Sequence, residues 1–132
     1  VLEDEPLFNA GRGSVFNAYG EHEMDASIMC GKTLQAGAVA AVKQVRNPVI
    51  LARNILEDGQ YVLLSGEGAL DFAKLKGLQI MDPDYFYTSQ RFEQWQKSKQ
   101  KNLVTLDHTD EKKYGTVGAV AMDTEGNLAA AT

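Results

Sequence analysis

The sequence predicts an α+β fold, and three observations carry that reading. Near the start, residues 13–18 and 22–29 alternate apolar with polar positions around Tyr19-Gly20-Glu21, the pattern of a β-hairpin with glycine at its turn. In the middle, Asn47-Pro48 opens and Gly59 closes an apolar-periodic stretch, which reads as a helix with Asn47 as cap and Pro48 at its first position. Toward the other end, Val117, Ala119 and Ala121 alternate with Gly118, Val120 and Met122, a buried strand that Asp123-Thr124-Glu125-Gly126 turns into a second strand over 127–131.

Residues 2–12 read as the end of a helix followed by a tight irregular loop, because Pro6 blocks helix continuation and Asn9, Gly11 and Gly13 favour turns. The acidic trio Glu3, Asp4 and Glu5 reads as a solvated face. In the hairpin, Asp25 lies among Met24, Ala26 and Ile28; a buried carboxylate needs hydrogen-bond partners, so its expected role is to hold the loop or the strand junction. His22 stands beside the turn with neither a cysteine nor a second histidine near enough to complete a metal site, and reads as a surface residue. Cys30-Gly31-Lys32 makes the next turn, and Thr33-Leu34 leads into a strand extending through Val42. Ala36, Gly37, Ala38, Ala40 and Ala41 are small enough for another layer to approach it closely.

The helix that follows runs through Val49, Ile50, Ala52, Ile55 and Leu56 and packs its apolar face on a sheet. A short buried strand is expected over 61–64, then a second helix over 67–76 that ends at Gly77. Ser65-Gly66-Glu67-Gly68 precedes that helix, but its spacing fits neither a Walker loop nor a dinucleotide fingerprint, and helix capping explains it. Residues 88–101 have helical propensity, with Phe92 and Trp95 on one side and Arg91, Glu93 and Lys97 at polar positions. Beyond residue 100 periodicity ends, and Asp107, Asp110, Glu111, Lys112 and Lys113 mark a polar linker to Tyr114; His108 falls within it and is not expected to act as a base.

Composition narrows the function classes. With 132 residues, 44% hydrophobic and 23% charged, the chain suits one globular domain with a modest core, not a disordered segment. A net charge of −5 argues against a nucleic-acid partner, and the cluster Lys97, Lys99 and Lys101 beside Trp95 is too small a patch to reverse that. One cysteine, Cys30, leaves no internal disulfide and fits a reducing, cytoplasmic setting. No apolar run is long enough for a membrane-spanning helix, so no membrane partner is expected.

Thr116 is the candidate nucleophile. From the residues alone, Gly115-Thr116 followed by small and apolar residues is first of all a turn entering a buried strand. A threonine inside a chain has no adjacent base, whereas one whose own α-amine is free carries a base titrating near pH 8, roughly. Gly115 suits a cut at that bond: it has no side chain to block its carbonyl and tolerates unusual backbone angles.

The run Gly115-Thr116-Val117-Gly118-Ala119-Val120-Ala121, with Asp123 and Gly126-Asn127-Leu128-Ala129-Ala130-Ala131-Thr132 after it, resembles the start of the β-subunit of plant-type asparaginases, also called isoaspartyl peptidases. Leu2-Glu3-Asp4-Glu5-Pro6-Leu7-Phe8-Asn9-Ala10-Gly11-Arg12-Gly13-Ser14-Val15-Phe16, with Glu23 to Met29 behind it, resembles the α-subunit of the same family. Ala36 to Ala40, Arg46-Asn47-Pro48-Val49 and Ala52-Arg53 match in the expected order.

That resemblance implies the four-layer αββα sandwich of N-terminal-nucleophile hydrolases, incomplete in this chain. Residues 1–115 would be most of the α-subunit, with a flexible linker from about residue 100, and 116–132 the start of the β-subunit, as parts of one domain. It implies a precursor cut between Gly115 and Thr116, after which Thr116 attacks the side-chain amide of asparagine or a β-aspartyl dipeptide, and an (αβ)2 assembly of processed protomers. It places Asn9 near the nucleophile, able to hold an oxyanion or orient the loop; from the residues alone Asn9 is a turn asparagine bonded to its own backbone. No cofactor for catalysis is implied, but a structural sodium ion is, held by the carbonyls of Leu2, Glu3, Glu5, Phe8, Ala10 and Arg12.

The chain departs from relatives at Arg12, where many have a smaller or apolar residue, and at Cys30, where an aspartate is frequent; neither side chain is assigned a catalytic role. The family's second threonine and its substrate-holding arginine and aspartate fall beyond Thr132, so the 132 residues alone are expected not to turn over substrate. Two alternatives stand beside this reading: a glycosylasparaginase-like amidase, and an unprocessed binding or scaffold domain.

Overall fold

The computed structural model describes residues 1–100 and 116–132. The predicted linker beyond Gln100, with Asp107, His108, Asp110, Glu111, Lys112 and Lys113, and also Gly115 of the expected cleavage bond, lies outside the described residues.

The described residues form a five-stranded sheet and three α-helices, two of which pack on the sheet. Its strands are β1 (Met24–Cys30), β2 (Ala36–Val42), β3 (Leu63–Ser65), β4 (Ala119–Met122) and β5 (Leu128–Ala131), in spatial order β3-β2-β1-β5-β4. Among the described residues only β2 and β3 pair in parallel, as expected of two strands joined through a helix, here α1 (Pro48–Asp58). Helices α2 (Gly66–Leu75) and α3 (Ser89–Gln100) follow, and short 3-10 turns occupy Leu2–Asp4, Gly11–Gly13 and Pro83–Tyr85.

Helix α1 buries Leu51, Ala52 and Ile55 against β1 and β2, and α2 adds Ala69, Leu70 and Ala73 to the same core, with Met24, Ala26, Val39, Val42, Val45 and Phe86. The expected close approach to β2 is real at Gly37, where a Cβ would collide with the Ala52 carbonyl and Leu56 backbone. Asn47 and Pro48 begin α1 and Gly59 ends it in the left-handed conformation at φ 73°, as the sequence predicts.

Several expectations are corrected. Of the hairpin arm over 13–18, only the bridge Phe16–His22 forms, because the Asn17 side-chain oxygen accepts the N–H groups of Tyr19 and Glu21 and diverts them from a ladder. The strand expected buried over 61–64 lies at Leu63–Ser65 on the sheet edge, with Tyr61, Val62 and Leu63 exposed; a short apolar run does not say where in a sheet it sits. The strand after Thr116 is not buried either: β4 is the opposite edge, paired with β5 among the described residues, and Val120 and Met122 are exposed.

Three polar residues also differ from expectation. Asp25 is exposed, yet it does hold a strand junction: its Oδ1 accepts the Ala41 N–H at 2.7 Å, beside the register shift between Met24 and Ala26. His22 is half-buried against the Phe16 ring, centroids 4.1 Å apart, and is no surface residue. Arg91, expected at a polar position, is buried to 3% exposure because main-chain carbonyls of the N-terminal loop take its guanidinium.

Candidate active site

Thr116 is exposed and precedes β4 by only two residues. The strand entry is pinned from β5: the Thr132 hydroxyl donates to the Val117 carbonyl at 2.9 Å. Thr132 is itself paired with β1, exchanging main-chain hydrogen bonds with Ser27 at 2.8 and 2.9 Å. Three strands thus fix the backbone immediately after Thr116. They also border a groove of about 470 Å³ on the sheet, lined by Ser27, Met29, Ala38, Gly118, Val120 and Thr132 among others. The pairing register puts Met29, Ala36, Ala130 and Val120 on one sheet face, opposite to Gly37, which faces α1. Its lining is mostly apolar, with the Ser27 and Thr132 hydroxyls as polar side-chain groups.

Asn9 stands on the loop between the first two 3-10 turns, where its Oδ1 accepts the Val15 N–H at 2.9 Å. The six residues expected to offer carbonyls, Leu2, Glu3, Glu5, Phe8, Ala10 and Arg12, fall in this same N-terminal loop. The Glu3, Pro6 and Phe8 carbonyls stand close against its glycines. A Cβ on Gly11 would meet the Glu3 carbonyl, and one on Gly13 would meet those of Phe8 and Pro6, so both positions require glycine on space, and Gly11 also on its φ of 51°. A cradle of main-chain oxygen fits a hard cation such as sodium. Among the described residues no cluster of three His, Cys, Asp or Glu side chains could hold a metal ion.

The acidic trio is not a solvated face, because two of its carboxylates have internal partners. Glu3 is 8% exposed, and its Oε1 accepts the Val49 N–H at 3.0 Å, capping α1 in place of the Asn47 side chain, which makes no cap hydrogen bond. Burial pushes the Glu3 carboxyl above its ordinary range, against the opposing hydrogen bond from Val49. Asp4 accepts from Arg46 Nε at 3.1 Å and from the Tyr85 hydroxyl at 3.4 Å; Glu5 remains exposed. Burial acts to raise the Asp4 carboxyl, but the bond and charge of Arg46 outweigh it and hold it low.

Sequence reasoning missed Glu3 and Arg91. Each acts on a segment dozens of residues away, and the one local signal was a proline-started helix whose own cap residue left its N–H groups for another acceptor.

Comparison with known proteins gives the family. The family described as Asparaginase matches residues 1–132. The chain is 50% identical to the "Isoaspartyl peptidase" of Escherichia coli (strain K12), covering 100% of this chain and 43% of that protein. It is 46% identical to the "Isoaspartyl peptidase/L-asparaginase" of Xenopus laevis, covering 100% and 42%. It is 47% identical to the "Plant-type L-asparaginase" of Pyrococcus furiosus, covering 95% and 44%. The chain therefore spans less than half the length of these curated relatives.

Proposed function

Because the chain belongs to the asparaginase family, we propose that the full-length protein carrying it is an autoprocessing threonine hydrolase of the L-asparagine side-chain amide and of β-aspartyl dipeptides. The observation that carries this reading is the 50% identity to an isoaspartyl peptidase across the whole chain.

In the precursor, the Thr116 Oγ attacks the Gly115 carbonyl carbon and the peptide C–N bond breaks, leaving an ester on Oγ and a free α-amine on Thr116. Water hydrolyses the ester, giving a Gly115 carboxylate and a free hydroxyl. In the processed enzyme the α-amine takes the Oγ proton as Oγ attacks the substrate amide, then passes it to the departing amine, or to ammonia when asparagine is the substrate. Water, deprotonated by the same amine, releases the aspartyl product. The hydrogen bond from the Thr132 hydroxyl to the Val117 carbonyl favours this chemistry, since it holds the nucleophile's neighbour before substrate arrives.

Asn9 orients the loop or donates to the developing oxyanion through its amide. The carbonyls of Leu2, Glu3, Glu5, Phe8, Ala10 and Arg12 would hold a sodium ion, whose charge would offset their dipoles and steady the loop. The remaining sequence of the protein supplies the rest of an αββα sandwich, the other substrate-binding groups and the contacts of an (αβ)2 assembly, so the 132 residues alone do not turn over substrate. The decisive measurement is mass spectrometry with N-terminal sequencing of active full-length protein. Two chains, the second beginning Thr-Val-Gly-Ala, are expected; a single intact chain with asparaginase activity would overturn the mechanism.

A further inference from the structure

The buried guanidinium of Arg91 has no part in the chemistry above. Its Nε donates to the Gly13 carbonyl at 2.7 Å and its Nη2 to the Leu7 carbonyl at 3.3 Å. Those two carbonyls lie on either side of Asn9 in the chain. Nη1 donates to Gln94 Oε1 at 3.0 Å, one helical turn along α3, and the Arg91 N–H donates to the Thr88 hydroxyl at 3.2 Å. The side chain is therefore aimed by its own helix and grips the loop at two points.

We propose that Arg91 is a positioning residue for Asn9: from α3 it pins the main chain before and after that asparagine and so sets the direction in which the Asn9 amide is presented. This rests on the active-site role proposed for Asn9. Within the loop the backbone ties are short-range: the Phe8 N–H donates to the Glu5 carbonyl, the Gly13 N–H to that of Ala10 and the Ser14 N–H to that of Gly11. Gly11 sits in the left-handed region at φ 51°, and the 3-10 turn at Gly11–Gly13 is only three residues long. A third tie comes from Asn9 itself, whose Oδ1 takes the Val15 N–H just beyond the pinned Gly13. Clamp and side-chain tie together fix the main chain on both sides of Asn9 and the side of its amide that carries the oxygen. The rigid planar fork of arginine reaches two divergent carbonyls at once, which the single ammonium of lysine does not.

A double-mutant cycle in active full-length protein tests this, using Asn9→Asp, which keeps an acceptor for Val15 and deletes the amide donors. Arg91→Lys is expected to lower kcat about tenfold or more, with KM changed less than about twofold, the scale set by a small misplacement of an active-site group. Gln94→Ala, which removes one aiming contact and not the clamp, is expected to lower kcat in the same direction by less. In the Asn9→Asp background Arg91→Lys should cost less than about twofold further, because its target is already gone. A full additional loss there, or a fall in melting temperature with wild-type kcat, overturns the positioning role and leaves Asn9 standing. An unchanged kcat in Asn9→Asp overturns the role of Asn9 and this proposal with it. Should Arg91→Lys fail to fold, Gln94→Ala alone and paired with Asn9→Asp gives the same comparison.

Discussion

The Glu3 carboxylate accepts the Val49 N–H at 3.0 Å, so a residue of the N-terminal loop caps a helix that begins 45 residues later. Removing this acceptor leaves the first turn of α1 with an orphan donor. Glu3→Ala is expected to destabilise the fold by about 1 kcal/mol in urea denaturation, the usual worth of a cap. Glu3→Gln keeps an oxygen there and should cost less. The pH dependence separates the two effects. The Glu3 carboxyl titrates above 4.5 in the fold, so the folded state holds its proton more tightly than the unfolded chain. That contribution is fully present below pH 4.5 and is lost as pH rises through the folded value. Stability of wild type relative to Glu3→Gln should therefore fall, not rise, across that interval.

Ala41 carries a φ of 51°, in the left-handed region that side chains avoid, and its N–H is held by Asp25 Oδ1 at 2.7 Å. Relief and aggravation of this strain should have opposite signs. Ala41→Gly is expected to be neutral or stabilising by up to ~1 kcal/mol, and Ala41→Val destabilising by about 1 to 3 kcal/mol. Asp25→Ala should cost about 1 kcal/mol by leaving that N–H without its partner. Urea midpoints of the three variants against wild type decide it.

His22 Nδ1 lies 3.0 Å from the Ser14 carbonyl, which can only accept, so Nδ1 carries the proton and Nε2 the lone pair. Nε2 is buried and finds no hydrogen-bond partner among the described residues. Burial holds the imidazole below its ordinary value of 6.5, despite the Ser14 carbonyl acting to raise it. The stabilising difference is present above pH 6.5 and disappears as pH falls through the folded value. A proton NMR titration should place the His22 midpoint below 6.5, and His22→Phe should flatten the acid limb of the stability profile. A midpoint at or above 6.5 contradicts the buried geometry.

Thr116 is the one hydroxyl that both processing and turnover use in the proposed mechanism. Thr116→Ala in full-length protein should remain a single chain with no amidase activity. Thr116→Ser keeps a hydroxyl and should still be cut, with both cutting and turnover altered in rate. Gel electrophoresis and ammonia release measure the two steps separately.

Local chemistry made α1 and β2 legible. Asn47, Pro48 and Gly59 punctuate the helix, and Gly37 with its alanine neighbours announced a close-packed strand face. What failed was position within the sheet. Tyr61, Val62 and Leu63 have the composition of a buried strand, as do Val120 and Met122, yet among the described residues both groups lie at sheet edges, because pairing order is not a local property. Charge misled at Glu3 and Arg91 for a related reason. Each is buried by a partner remote in sequence, the Val49 N–H for one and the Leu7 and Gly13 carbonyls for the other. The candidate nucleophile was visible as a residue type at a strand entry, whereas the anchoring of that entry by Thr132 and Ser27 required the fold.

That anchoring bears on what a scission before Thr116 leaves behind. With the Val117 carbonyl tied to Thr132, the new terminus overhangs its last fixed point by a single residue, a reach of about 3.5 Å. So short an end has little freedom to lose when a reactant docks.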